Sequence, residues 1–202
     1  TYFSAKLLCD RVWGIAVNPS SGDIYVVGYD VGGAIVTRYD AQLANILGRH
    51  VIQGNVSDRA KGIAVNPVNG DVYVVGTTSS WSFPQLEGGA FSSTAHADPL
   101  AFGRVFVARF DATLATHLQS TWLFEGEGTE LYSARIPVTV DPVSGDVIVA
   151  TAAYGDIGEL VGGAQPSYGG GETDGIVVRL AADLTQVNAA TYFGGTGVES
   201  VA

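Results

Sequence analysis

The strongest constraint on this chain is a phrase that it repeats. Its cleanest copy is Gly62-Ile63-Ala64-Val65-Asn66-Pro67-Val68-Asn69-Gly70-Asp71-Val72-Tyr73-Val74-Val75-Gly76, an earlier copy runs from Gly14 to Gly28, and a worn one runs from Arg135 to Ala150. Each copy is two short apolar runs joined by Asn/Asp-Pro-x-x-Gly-Asp. Pro presets φ and Gly frees it, so the joint is a tight turn and the whole phrase reads as a β-hairpin. Three hairpins of one wording predict a repeat architecture.

Two further units recur around the hairpins. One is a strand that closes on an Arg and an apolar residue, as in Ala34–Asp40, Val105–Asp111 and Ile176–Leu180. The other is an aromatic strand, clear in Thr1-Tyr2-Phe3 and Thr191-Tyr192-Phe193-Gly194-Gly195, weaker in His50-Val51-Ile52 and Thr121-Trp122-Leu123. One cycle is therefore four strands, the content of one propeller blade. Runs such as Ile24-Tyr25-Val26-Val27 and Val72-Tyr73-Val74-Val75 barely alternate, which predicts strands covered on both faces. The expected fold is all-β: β-propeller blades of four antiparallel strands, about three of them, in a single repeat domain over 1–202. The approximate cycles are 1–52, 53–123 and 124–193, with 194–202 as the start of a further repeat.

The second cycle carries a family resemblance. Gly76-Thr77-Thr78-Ser79-Ser80-Trp81-Ser82-Phe83-Pro84, then Gly88-Gly89-Ala90-Phe91, then Phe106-Val107-Ala108-Arg109-Phe110-Asp111 resembles the SBBP family of β-propeller repeats. The Thr191–Gly195 strand and the approach Ser167-Tyr168-Gly169-Gly170-Gly171 to Asp174-Gly175-Ile176-Val177-Val178 are similar to the same pattern. The first cycle lacks the Phe-Pro loop, and the third has Ile136-Pro137-Val138-Thr139-Val140 in place of Gly-Ile-Ala-Val. The resemblance implies a secreted or surface-exposed propeller, usually one module of a larger protein, with no enzymatic chemistry to carry over.

Three blades do not close a ring, since closed propellers use about four to eight. The blades are expected to be completed by more chain or by other copies, through strand addition at unpaired edges. Two copies would make a six-blade ring, and head-to-tail addition would make a fibre.

Composition narrows the partners. A net charge of −10 repels phosphate, which argues against nucleic acid and anionic membrane. No run approaches the ~18 apolar residues that span a bilayer. The lone Cys9 allows no internal disulfide and fits no zinc or haem spacing. The chain begins at Thr1 and has no Met, as in a processed polypeptide. The expected location is extracellular or at the cell surface.

Few residues invite chemistry, and neither a cofactor nor a metal is expected. The loops 77–104 and 151–175 vary most between cycles, and loops are where scaffolds bind. Trp81, Phe83 and Tyr168 are their candidate stacking surfaces for a glycan or peptide. His96 and Asp98 share the longer loop, but two residues make no triad. Asp141 and Asp146 offer carboxylates for calcium; because Asn18/Asp23 and Asn66/Asp71 stand at the same places, turn-closing hydrogen bonds explain them better. Arg38, Arg109 and Arg179 recur at one strand position, which predicts a structural pairing in each blade rather than an anion ring. The expected function is a non-enzymatic structural or interaction scaffold, with a ligand-binding propeller module as the alternative. An enzyme reading rests on fold analogy alone.

Overall fold

The computed structural model describes residues 11–30, 33–91, 104–123, 135–154, 160–171 and 173–197. These residues form three four-stranded antiparallel sheets, each a simple up-and-down meander. The first holds β1 (Arg11–Val17), β2 (Ile24–Asp30), β3 (Gly33–Tyr39) and β4 (Ile46–Ile52). The second holds β5 (Asp58–Val65), β6 (Val72–Thr78), β7 (Arg104–Phe110) and β8 (His117–Trp122). The third holds β9 (Val138–Val140), β10 (Val147–Tyr154), β11 (Thr173–Leu180) and β12 (Val187–Phe193). Each is a propeller blade built from one sequence cycle: hairpin, Arg-ended strand, aromatic strand.

The hairpin joints fold alike. In the second blade Asn66 N–H donates to the Asp71 carbonyl and Gly70 N–H to the Asn66 carbonyl, at 2.8 and 2.9 Å. Gly70 has φ 79°, a left-handed conformation that favours glycine. The Asn66 side-chain oxygen accepts from Val68 N–H, as Asn18 does from Ser20 and Asp141 from Val143.

The blades pack face to face through two apolar cores. One joins Tyr25, Val27 and Val36 of the first blade to Val72, Val74, Phe106 and Trp122 of the second. The other joins Tyr73, Val75 and Val107 of the second to Val147, Val149, Ile176 and Leu180 of the third. The middle blade is thus covered on both sides, and every residue of β6 is buried. In β2, by contrast, buried and half-buried residues alternate along the first half of the strand. Here the absence of alternation in the sequence did not bring two-sided cover.

Polar contacts register the blades against each other. The Tyr25 hydroxyl donates to the Ala112 carbonyl of the next blade at 2.6 Å, and Tyr73 donates to Ala182 at 2.8 Å. Ile148 holds the equivalent place in the third blade: it pairs with Arg179 as Tyr25 pairs with Arg38 and Tyr73 with Arg109.

A leucine recurs in each turn after the Arg-ended strand, and in the second and third blades it packs into the seam with the preceding blade. Leu43, Leu114 and Leu184 all have positive φ, at 57°, 63° and 65°, an uncommon state for a non-glycine residue that the surrounding structure has to enforce. Leu114 and Leu184 are buried, at 3% and 0% exposure, whereas Leu43 is 60% exposed. The same holds across that face of the first blade. Ile15 and Val17 are 68% and 55% exposed, although Ile63, which pairs in register as Ile15 does, is buried.

Candidate functional site

The three recurrent arginines are structural clamps. Arg38 grips Asp23, and Arg109 grips Asp71, each ion pair closing to 2.6 Å. Arg179 bonds Asp146 and Asp141 together, both at 2.6 Å. In each case a guanidinium on the third strand ties down the last Asp of the hairpin joint two strands back. Backbone N–H groups of Val143 and Ser144, with Arg179, hold the Asp141 carboxyl below its ordinary range, and the Arg179 hydrogen bond does the same for Asp146. The two carboxylates considered for calcium are therefore engaged with a guanidinium, and no metal-holding group of His, Cys, Asp or Glu occurs among the described residues.

The long loops are largely spent on the scaffold. Segment 79–91 runs back along the outer edge of β8: Ser120 N–H donates to Gln85, Trp122 N–H donates to Phe91, and Phe91 N–H donates to the Thr121 hydroxyl. Segment 160–168 covers β12 in the same way. Ala190 and Tyr192 N–H donate to Val161 and Gln165, and Gln165 N–H donates to the Thr191 hydroxyl. Pairing an open edge removes its capacity to template other strands. Among the described residues no loop backbone does this for β4.

The loop candidates divide accordingly. Phe83 is buried, its ring 4.8 Å from Phe106 and 5.2 Å from Trp122. It is a core residue rather than a stacking surface, which corrects the expectation for this position: the ring is buried in the core cluster shared by the first and second blades. Trp81 stands 52% exposed, and its backbone N–H donates to the Asn55 side-chain oxygen. Tyr168 lies edge-on to Tyr192 at 5.8 Å, and its hydroxyl donates to the Gly171 carbonyl. His96 and Asp98 lie outside the described residues, as do Cys9 and the Thr1–Phe3 strand.

Two histidines join the first seam. His117 stacks on Phe110 at 4.5 Å, and His50 lies 4.8 Å from Phe110 and edge-on to His117 at 5.8 Å. Burial, helped by His50, pushes the His117 imidazole down to about 4. A ring this reluctant to take a proton is packing material, with its Nε2 set against the Ser120 hydroxyl at 2.8 Å.

The feature missed in the sequence lies where the inner strands meet. β5 touches β1 on one side and β9 on the other, and together they line an open groove of about 580 Å³. The approach is close enough that a Cβ on Gly62 would collide with the Ile136 carbonyl oxygen. Both β1 and β5 carry a β-bulge, which leaves Trp13 and Lys61 as the unpaired residues. A bulge re-aims its side chain, and here it brings the Lys61 ammonium 5.8 Å from the Trp13 ring centroid. Lys61 is fully buried, and among the described residues neither its Nζ nor Trp13 Nε1 has a hydrogen-bond acceptor. Burial, reinforced by the like charge of Arg59, lowers the Lys61 ammonium to about 8. Arg135 lines the same groove, and among the described residues no carboxylate does, the rest of the lining being apolar or glycine. The repeat alignment places Trp13 and Lys61 at one position, but a variable position in a repeat gives no sign of its burial.

No protein-family model matches the chain, and no curated protein matches it. Among solved structures, a chain in the crystal structure of a nidogen/laminin complex is similar over 89% of this chain, at 14% identity and a TM-score of 0.43. The present chain spans about half of that one, 48% of its length.

Proposed function

We propose that this chain is a non-enzymatic, extracellular interaction scaffold of the SBBP type: an arc of propeller blades that takes up further blades, from more chain or from other copies. The single observation that carries the reading is the contrast between Leu43 and its equivalents. Leu114 and Leu184 are buried in the preceding blade while Leu43 is 60% exposed, on a blade face whose counterpart is core in the middle blade. An exposed apolar face of this kind marks an interaction surface. It continues the geometry of two blade seams already formed, so a blade-like partner fits it. The chemistry of the described residues supports the same reading, since the Arg–Asp pairs, the buried loop aromatic and the seam histidines all serve packing.

The test is native mass by light scattering across a concentration series, for the wild-type chain and for Leu43→Asp. Asp tolerates the left-handed conformation required at this turn. The expected result is concentration-dependent assembly of the wild type into a closed pair or a polymer, abolished in the variant while its circular dichroism is unchanged. A wild type of single-copy mass at every concentration, with Leu43→Asp indistinguishable from it, would count against copies as the completing partner. If blades appended from a longer chain then left Leu43 as exposed as before, the scaffold reading would fall.

A further inference from the structure

We infer that the groove between the inner strands is a binding site for a small organic monocarboxylate, with Lys61 and Trp13 as its polar anchors. Two buried donors lack acceptors among the described residues. An ammonium buried without a counter-ion is costly, and an indole N–H without an acceptor adds to the cost. Native structures keep such groups where something answers them, and the two sit together. They occupy equivalent bulge positions on adjacent inner strands, with Nζ 5.8 Å from the indole centroid.

The surrounding charge points to the sign of the ligand. The chain carries a net charge of −10, yet among the described residues the only charged ones lining this groove are Lys61 and Arg135. The charged neighbour that acts on Lys61 is another cation, Arg59, whose guanidinium lies over the Tyr29 ring at 5.3 Å. Cations gathered around one cavity, with no carboxylate among its described lining residues, make a local positive potential.

The remaining lining selects among anions. Val12, Ile15, Val26, Ile63, Ile136 and Val138 form apolar walls, which suit an apolar body and penalise a second charge or a phosphate. The volume of about 580 Å³ lies within the range of small-molecule pockets. The four-carbon stem of Lys61 lets its ammonium swing from the wall to a carboxylate in the groove. The Trp13 N–H supplies a second, directional hydrogen bond.

Benzoate is a suitable probe, with benzyl alcohol as its uncharged counterpart. The readout is the indole N–H resonance of Trp13 in the full-length ¹⁵N-labelled chain, assigned by its loss in Trp13→Phe, with Trp81 and Trp122 as internal controls. The expected result is a saturable downfield shift of the Trp13 resonance alone with benzoate, at least tenfold weaker affinity for benzyl alcohol, and at least tenfold weaker benzoate binding in Lys61→Gln. A Trp13 resonance unmoved by benzoate overturns the proposal, as does an equal response to the two probes. The wild-type comparison decides the matter even if Lys61→Gln fails to fold. It reads a ligand-induced resonance shift rather than a mass, so its failure is distinguishable from a failure to assemble.

Discussion

Truncating the three equivalent leucines to Ala tests the blade geometry directly. All three have left-handed backbones, so the conformational penalty of the substitution is shared and cancels. Full burial of a leucine side chain stabilises by about 2 kcal/mol in transfer alone, and the cavity left behind raises the cost of Leu→Ala to about 2–5 kcal/mol. Leu114 and Leu184, at 3% and 0% exposure, should each lose about 3 kcal/mol. Leu43 keeps 60% of its surface in solvent, so only two fifths of the transfer term applies and no closed cavity forms, a loss of under about 1 kcal/mol. The assay is urea unfolding followed by tryptophan fluorescence, at a concentration where the midpoint no longer depends on concentration. Leu114→Ala and Leu184→Ala should lower the midpoint clearly, and Leu43→Ala should barely move it. A Leu43→Ala loss as large as that of Leu114→Ala would mean that this face is covered in the single chain, and the reasoning from equivalence would fail.

Three other perturbations follow from the seams. Gly62→Ala should destabilise by about 2–3 kcal/mol because the new Cβ meets the Ile136 backbone carbonyl, whereas Gly14→Ala, whose nearest contact is a Val27 methyl at 2.9 Å, should cost less; equal thermal shifts would refute the close-approach account. Tyr73→Phe removes the 2.8 Å bond to Ala182 and should cost about 1 kcal/mol in denaturant unfolding, and an unchanged midpoint would show that the bond does not register the blades. The His117 imidazole is held down to about 4 from 6.5, so the unfolded chain binds its proton first as pH falls. Stability is then lost between about pH 6.5 and 4, by at most about 3 kcal/mol. His117→Phe should flatten the stability profile in that window, and a profile identical to wild type would exclude His117 as its source.

Much of the fold was legible because its signals are local. The Asn/Asp-Pro-x-x-Gly-Asp joint carries its own turn chemistry, so the hairpins follow from φ preferences and from side-chain bonds such as Asn66 to Val68. Recurrence then exposed the Arg clamp: a charged residue at the same place in three strands needs the same partner three times, and Asp23, Asp71 and Asp146 supply it. The turn leucines were equally repetitive, in Ala41-Gln42-Leu43, Ala112-Thr113-Leu114 and Ala182-Asp183-Leu184. The packing of Leu114 and Leu184 into a blade seam was invisible, because spacing along the chain does not say which side of a turn faces another sheet.

The strands of the three described blades and their order within each blade were legible in the sequence, since these depend on periodicity and turn residues only a few positions apart. Tertiary structure decided what each residue is for. It turned Phe83 from a loop aromatic into core, folded the long loops along β8 and β12, and left Leu43 bare where Leu114 is sealed. It also set Lys61 beside Trp13 across two strands. Burial is a property of neighbours, and those neighbours lie tens of residues away in the chain.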